Sequence, residues 1–340
     1  MKKIVCLFFV FMAALFASAS GMEGTNKDDS RYFVAVTKID YDEAKAKLGK
    51  KLFFDKRLSE DGRSSCESCH NLYWDFSGTV RHVEDGVLDP VSVLSVGLNY
   101  MFFNDGKIRS IYDQIDRSIT SIDELATDPK RLAVKLSKID EYTSAFSKVY
   151  PTGLNYENIR DALVEFEKSI TSVNSPFDRY LLGDVNALSP EQKKGLALFK
   201  DVGCVACHNG VNLGSNVEQI VNFYEFVVKS EHNETSDLAD DAKNHFIHPP
   251  KDGNEVDVFL CKHSITGKFY KPRLDFMRIP PLRNIARTRP YYRCGKKTSL
   301  QQTIQDMSKI QLNYDLSDDD AELIYKFLLS LDGEIPRILK

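Results

Sequence analysis

Apolar residues recur at three- and four-residue spacing along most of the chain and alternate strictly almost nowhere, which predicts a mostly α protein. Asp40 to Lys56 predicts a helix with Ala44, Leu48 and Leu52 at helical spacing and Asp40 as its cap. Asp128-Pro129 opens a second, and Leu132, Leu136, Ile139 and Phe146 carry it to about Val149. A third follows Asn155, with Ile159, Leu163, Phe166 and Ile170 on one face, and Asn174-Ser175-Pro176 breaks it. Ser189-Pro190-Glu191-Gln192 is a capping box with proline at the first position, so a helix runs from there. The last begins at Ser317, with three Asp in a first turn where the dipole favours them, and stops before Gly333. Tyr73 to Asn99 is irregular, with Gly78, Gly86 and Pro90 as breakers, and is a candidate ligand-bearing loop. Asn209 to Pro272 is long and polar, with only Ile220 to Val228 strand-like, and reads as an elaborated surface loop.

The start of the chain departs from this pattern. Met1-Lys2-Lys3, an apolar run from Ile4 to Phe16 and small residues from Ala17 to Gly21 predict a secretory signal peptide over residues 1–20. The run is too short for a comfortable membrane span, so no membrane anchor is expected after processing. Loss of Lys2 and Lys3 takes the formal charge from −4 to −6. A mildly acidic chain without a long basic block argues against nucleic acid as a partner. About 320 mature residues exceed one comfortable core, so two domains are expected, 21–175 and 176–340, with the boundary near Asn174-Ser175-Pro176.

Candidate chemistry lies in Cys66-Glu67-Ser68-Cys69-His70, which returns 138 residues later as Cys204-Val205-Ala206-Cys207-His208. Cys-x-x-Cys-His is an attachment signature for c-type haem: both thiols add to the vinyl groups and the imidazole becomes an axial ligand. A zinc knuckle or a pair of redox dithiols is the alternative, and two complete copies weigh against it. Covalent haem attachment needs an exported chain, which in bacteria means the periplasm and agrees with the leader. Of seven Cys, Cys6 lies in the leader, four serve haem, and Cys261 and Cys294 remain, free to pair if the fold brings them together. No further internal repeat is visible.

Longer stretches resemble a family. Leu48-Gly49-Lys50-Lys51-Leu52-Phe53-Phe54-Asp55, Leu58-Ser59 and the first haem motif are similar to the entry of bacterial dihaem cytochrome c peroxidases, a family that includes the MauG-type enzymes. So are Asn174-Ser175-Pro176-Phe177-Asp178-Arg179-Tyr180, the Leu188 to Gln192 run, the second motif, Pro281-Leu282-Arg283-Asn284 and Pro290-Tyr291-Tyr292. The resemblance covers nearly the whole mature chain outside Asn209–Pro272. It implies a mostly α fold of two cytochrome-c-like domains, each with one covalently attached c-type haem. The N-terminal haem would be peroxidatic, and the C-terminal haem would take electrons from a small donor protein, a c-type cytochrome or cupredoxin.

On this resemblance His70 and His208 are proximal ligands. Met307, within the Thr298 to Leu312 run, falls on the family's methionine, and a thioether raises the potential as an electron-entry site requires. MauG-type members carry tyrosine there, so Met307 points to a peroxidase proper. His82 stands for a removable distal ligand of the first haem, at an offset that differs by one residue, and would make a two-state switch. Glu124 matches the acid–base glutamate and Gln114 an active-site glutamine; one carboxyl in reach can carry a proton from the inner to the outer peroxide oxygen. Asp89, Thr288 and Pro290 match a calcium site between domains, with Asp89 in place of Asn. One departure stands out: Asn104 in Phe103-Asn104-Asp105-Gly106-Lys107 replaces the tryptophan between the haems, and the sole tryptophan is Trp74. Transfer through Tyr100 or Phe103 is the substitute route.

The reading is a periplasmic, homodimeric peroxidase that reduces hydrogen peroxide to water. The alternatives are a MauG-like oxidase of a protein and a non-enzymatic dihaem electron carrier.

Overall fold

A computed structural model describes residues 29–72, 90–103, 106–215, 278–292 and 298–340, and the backbone of 81–83, 86–88, 261–262 and 269–270. Its framework is two crossed helix pairs. In the first, α1 (Glu43–Phe53) packs on α5 (Tyr156–Ser169). Asp42, not Asp40, caps α1: its carboxylate accepts the Lys45 amide at 3.0 Å. Ala46, Leu48, Gly49, Leu52 and Phe53 are buried, whereas Ala44 faces solvent. Gly49 makes the crossing close, since a Cβ there would lie 1.9 Å from the Ala162 carbonyl oxygen. Phe53 then meets Phe166 with ring centroids 5.1 Å apart.

The second pair repeats the first. α7 (Pro190–Asp201) packs on α9 (Asp318–Leu329). A Cβ on Gly195 would lie 1.9 Å from the Leu323 carbonyl oxygen, and the Phe199 and Phe327 rings are 5.3 Å apart. Gly49/Gly195 and Phe53/Phe199 share one displacement of 146 residues; Ala162/Leu323 and Phe166/Phe327 share another of 161. Ser169 and Ser330 hold the same relation, each hydroxyl donating to the preceding Phe carbonyl at 2.6 Å. This internal repeat escaped the sequence reading because it is written in spacings of single Gly and Phe residues, with little identity between the copies.

The halves meet at another related pair. Ser95 and Asn284 both adopt the left-handed conformation, φ 62° and 59°, which non-glycine residues rarely take. The Ser95 hydroxyl accepts Asn284 Nδ2 at 3.2 Å and the Ser172 amide at 3.2 Å; Asn284 Oδ1 accepts Ser172 Oγ at 2.8 Å and the Gly333 amide at 3.1 Å. Buried apolar residues form two clusters. One runs mainly from Leu48 to Ile170 and takes Leu339 from the C-terminus. The other runs from Phe177 to Leu331 and takes Phe33 from near the N-terminus. The chain ends thus cross over. Arg283 locks the second crossing point: its guanidinium grips the buried Asp178 carboxylate at 2.7 and 3.0 Å and donates to the Val34 carbonyl at 3.0 Å.

The remaining elements are short. α2 (Ile111–Thr120) and α8 (Leu300–Leu312) are capped by Ser110 and Ser299. The helix expected from Asp128 to Val149 is two, α3 (Pro129–Ser137) and α4 (Asp140–Val149), hinged at Lys138-Ile139. Leu136 and Tyr142 are both fully buried, but six residues in one straight helix would set them about 240° apart, so the hinge restores the buried face. α5 already ends at Ser169, ahead of Asn174-Ser175-Pro176, and that run instead starts another helix: Ser175 and Asp178 form a reciprocal capping box on α6 (Pro176–Leu181). Proline in a first turn is a start signal as well as a break. Two short antiparallel pairs complete the description, β1 (Arg81–Val83) with β2 (Gly86–Leu88) and β3 (Cys261–Lys262) with β4 (Phe269–Tyr270). The leader, Ile220–Val228 and most of the 209–272 interval lie outside the described residues. No described helix is long and apolar enough to cross a membrane.

Candidate functional site

Each Cys-x-x-Cys-His run is a tight turn. In the first, the Cys69 and His70 amides donate to the Cys66 carbonyl at 3.1 and 2.9 Å. Ser65 and Ser68 brace it through amide and hydroxyl bonds of 3.0–3.3 Å, and the Glu67 amide donates to the Phe53 carbonyl at 3.2 Å, tying the turn to α1. In the second, the Cys207 and His208 amides reach the Cys204 carbonyl at 3.2 and 2.9 Å. Gly203, at φ 103°, supplies the bend. Leu312, the last residue of α8, lies against Gly203, and the same helix carries Met307.

The two imidazoles sit alike. Both are half-buried, and lost solvation draws His70 down to about 4 and lowers His208 as well. A backbone carbonyl beside each ring opposes this, Val91 at His70 and Pro280 at His208, and these two residues are 189 apart, as are Ser95 and Asn284. His208 Nδ1 is also 3.1 Å from the Leu213 carbonyl. A carbonyl only accepts, so Nδ1 carries the proton and the Nε2 lone pair is free for a metal. At His70, Nδ1 is buried and has no partner in hydrogen-bond geometry.

The surroundings differ. Cys66 is held up as a thiol by burial, then by the carboxyls of Glu167 and Glu124. Glu124 lies half-buried in the turn after α2, its amide bonded to the Ser121 carbonyl at 3.1 Å. Gln114, on α2, donates to Ser118 Oγ at 3.3 Å, and its Oε1 is buried without a partner. Nothing in the sequence motifs singles out Glu167. Its signal was available: position 167 follows Leu163 by four, in phase with the buried face of α5, where a carboxylate is out of place. It is 3% exposed.

Met307 is half-buried on α8 and stands outside the apolar cluster of its half. His82 is placed by its backbone alone, opposite Val87 in the β1–β2 pair. Thr288 and Pro290 follow the Ile285–Arg287 turn, where the Thr288 amide donates to Ile285 at 3.2 Å. Asp89, Asn104, Trp74, Cys294 and the Cys261 side chain lie outside the described residues. Tyr100 is exposed. Phe103 is engaged through its carbonyl, which accepts Arg278 Nε at 2.9 Å, while Arg278 Nη1 donates to Ser215 at 2.7 Å.

These residues fit a haem at each turn. None of the four thiols is in a disulfide. Among the described residues no group of three or more His, Cys, Asp or Glu converges as a ligand set. Arg278 is 7% exposed, and burial draws its guanidinium down to about 10. It has no carboxylate partner among the described residues, and a buried cation calls for an anion such as a haem carboxylate.

Two Cys-x-x-Cys-His turns in a repeated helical frame, with carboxyls gathered at one of them, suit a di-haem protein whose two sites are chemically unequal. The profile of the di-haem cytochrome c peroxidase family matches residues 43–186. The chain is 33% identical over 305 residues to cytochrome c551 peroxidase of Pseudomonas aeruginosa, covering 87% of this chain and 81% of that protein. It is 31% identical over 339 residues to cytochrome c551 peroxidase of Nitrosomonas europaea, covering 98% and 92%. Its fold resembles a MauG-like protein associated with microbial copper homeostasis, with TM-score 0.62, 22% identity, and coverage of 89% and 94%. The chain belongs to the di-haem cytochrome c peroxidase family, whose members are haem oxidoreductases.

Proposed function

We propose that the protein is a periplasmic cytochrome c peroxidase in which hydrogen peroxide, two electrons and two protons give two waters. The observation that carries this reading is the asymmetry between two otherwise equivalent turns. Glu124, Gln114 and Glu167 are polar side chains gathered in the half that holds Cys66–His70. The repeat position of Glu167 in the other half is Leu328.

On this reading Cys66 and Cys69 tether one haem and Cys204 and Cys207 the other, with His70 and His208 as proximal ligands. When bound, the haem at His70 supplies the centre for peroxide reduction and the haem at His208 the entry point for electrons. Met307 would be a further ligand of the haem held by His208, and His82 a removable one of the haem held by His70. Glu124 takes the proton from the inner peroxide oxygen and returns it to the outer one. Gln114 orients the peroxide by a hydrogen bond. Arg278, which bridges Phe103 of one half and Ser215 of the other, would hold a haem carboxylate. Asp89 with the Thr288 and Pro290 carbonyls would bind calcium.

The two apolar clusters support domains 21–175 and 176–340, with the termini exchanged. The donor is a small c-type cytochrome or cupredoxin, the assembly a homodimer, and residues 1–20 a leader. Steady-state peroxide reduction by the haem-loaded protein with reduced cytochrome c tests the function; no turnover even after half-reduction rejects it in favour of an electron carrier.

A further inference from the structure

Glu167 is buried in α5, with Oε2 in no hydrogen bond. Its neighbours on the same helix differ. Glu165 accepts the Asp42 amide at 2.5 Å and pairs with Lys168 at 2.6 Å. The internal repeat turns this contrast into an argument. Ala162, Phe166, Ser169 and Ile170 correspond to Leu323, Phe327, Ser330 and Leu331, so Glu167 corresponds to Leu328. Both are 3% exposed. The frame therefore accepts an apolar side chain here without rearrangement, and the half with Cys66 carries a carboxyl instead. A lone buried carboxyl costs stability unless it stays neutral.

Among the described residues, the groups that face it are few. Glu124, from the turn after α2, and Cys66, from the haem turn, are coupled to it electrostatically. Charges on the packed helices are engaged elsewhere: Lys45 of α1 with Asp161 at 2.8 Å, Lys50 with the Ile338 carbonyl at 2.6 Å, and Asp116 of α2 with Arg160 at 2.6 Å. No cation among them neutralises Glu167. Burial, and then Glu124, push it up to about 8.

We propose that Glu167 is a positioning residue of the peroxide site: a buried, neutral carboxylic acid within electrostatic reach of Glu124 that holds the Glu124 proton affinity where it can both accept and release. The proposal rests on the peroxidatic reading of the His70 half. Glu167 keeps its own proton through the cycle, and the two protons consumed enter from solvent. Glu124 gains one from the inner peroxide oxygen and returns it to the outer, so its charge is restored each turnover. When Glu167 ionises, a second anion raises the proton affinity of Glu124, and return of the proton slows.

The test uses the haem-loaded protein, with infrared spectra and pH–rate profiles over roughly pH 6 to 10. The wild type is expected to show a protonated-carboxyl band that fades near pH 8, with turnover falling over the same interval. Glu167→Gln is expected to lose both the band and the fall. Glu167→Leu, the side chain the other half uses, is expected to do the same and stands in if the glutamine variant folds poorly. A wild type with no such band at neutral pH overturns the proposal, as does a variant whose pH profile superimposes on the wild type. A holoenzyme with no peroxide turnover sinks the functional reading and this one together; turnover with unaltered variant profiles sinks this one alone.

Discussion

Gly49 approaches Ala162 so closely that a methyl group on it would stand 1.9 Å from the Ala162 carbonyl oxygen. Glycine inside a helix costs roughly 0.5–1 kcal/mol relative to alanine, and here that cost is offset by what the close crossing allows. Phe53 and Phe166, both buried, meet one turn further along, and each stabilises the fold by roughly 1.5–3 kcal/mol. Gly49→Ala is therefore expected to destabilise the protein by about 1–3 kcal/mol despite the better helix former. Gly195→Ala should match it. Denaturant titration checks both, and a gain in stability at either site rejects the close crossing there.

Much of this was legible in the sequence, and for identifiable reasons. The α5 and α9 faces follow a clean periodicity, and Ser189 and Ser317 are strong caps, so those helices fall where expected. The break at Lys138-Ile139 was hidden because Ile139 keeps the apolar count going while Asp140 and Glu141 quietly open a new first turn. Ser175-Pro176 reads as an end until the reciprocal bond from Asp178 is seen. The two Cys-x-x-Cys-His turns needed only local spacing. The phase of Glu167 on the buried face of α5 was legible, but its meaning, like that of Arg278, lies in what surrounds it: among the described residues one is a carboxyl with no cation and the other a guanidinium with no carboxylate.

Arg283 and Asp178 are both essentially solvent-free. Asp178 also accepts the Val36 amide at 2.9 Å and the Ser175 hydroxyl at 2.7 Å. Arg283→Met would strand a buried carboxylate, which costs about 3–5 kcal/mol. The expected result is a large drop in denaturation midpoint with the N-terminal segment near Val34 loosened in hydrogen exchange. A loss under about 1 kcal/mol would mean that the pair is solvated in solution.

Glu124→Gln removes the one carboxyl assigned to move a proton and keeps its shape. Turnover is expected to fall by about 10²- to 10⁴-fold, with both haem absorption spectra retained. Turnover within a factor of a few of the wild type rejects the acid–base role.

Met307→His tests the assignment of the electron-entry half. Replacing a thioether by imidazole should lower the potential of one haem and leave the other in place. Spectroelectrochemical titration resolves the two. If both potentials stay where they were, Met307 is no ligand.

Glu167 also predicts how stability depends on pH, without any activity measurement. Its folded-state value of about 8 lies above the ordinary 4.5, so the folded chain holds a proton that the unfolded chain has released across that window. Stability contributed by this group is present below 4.5 and is lost as pH rises toward 8, by about 1.4 kcal/mol per pH unit at most. Above 8 both states are ionised and the loss stops. Glu167→Gln carries no such proton, so its stability relative to the wild type should climb between roughly pH 5 and 8 and then level off. Other titrating groups cancel in that difference. Equilibrium unfolding of the two proteins at matched pH values decides the matter: a difference that stays flat over the interval means that Glu167 is ionised, or hydrated, in the folded protein.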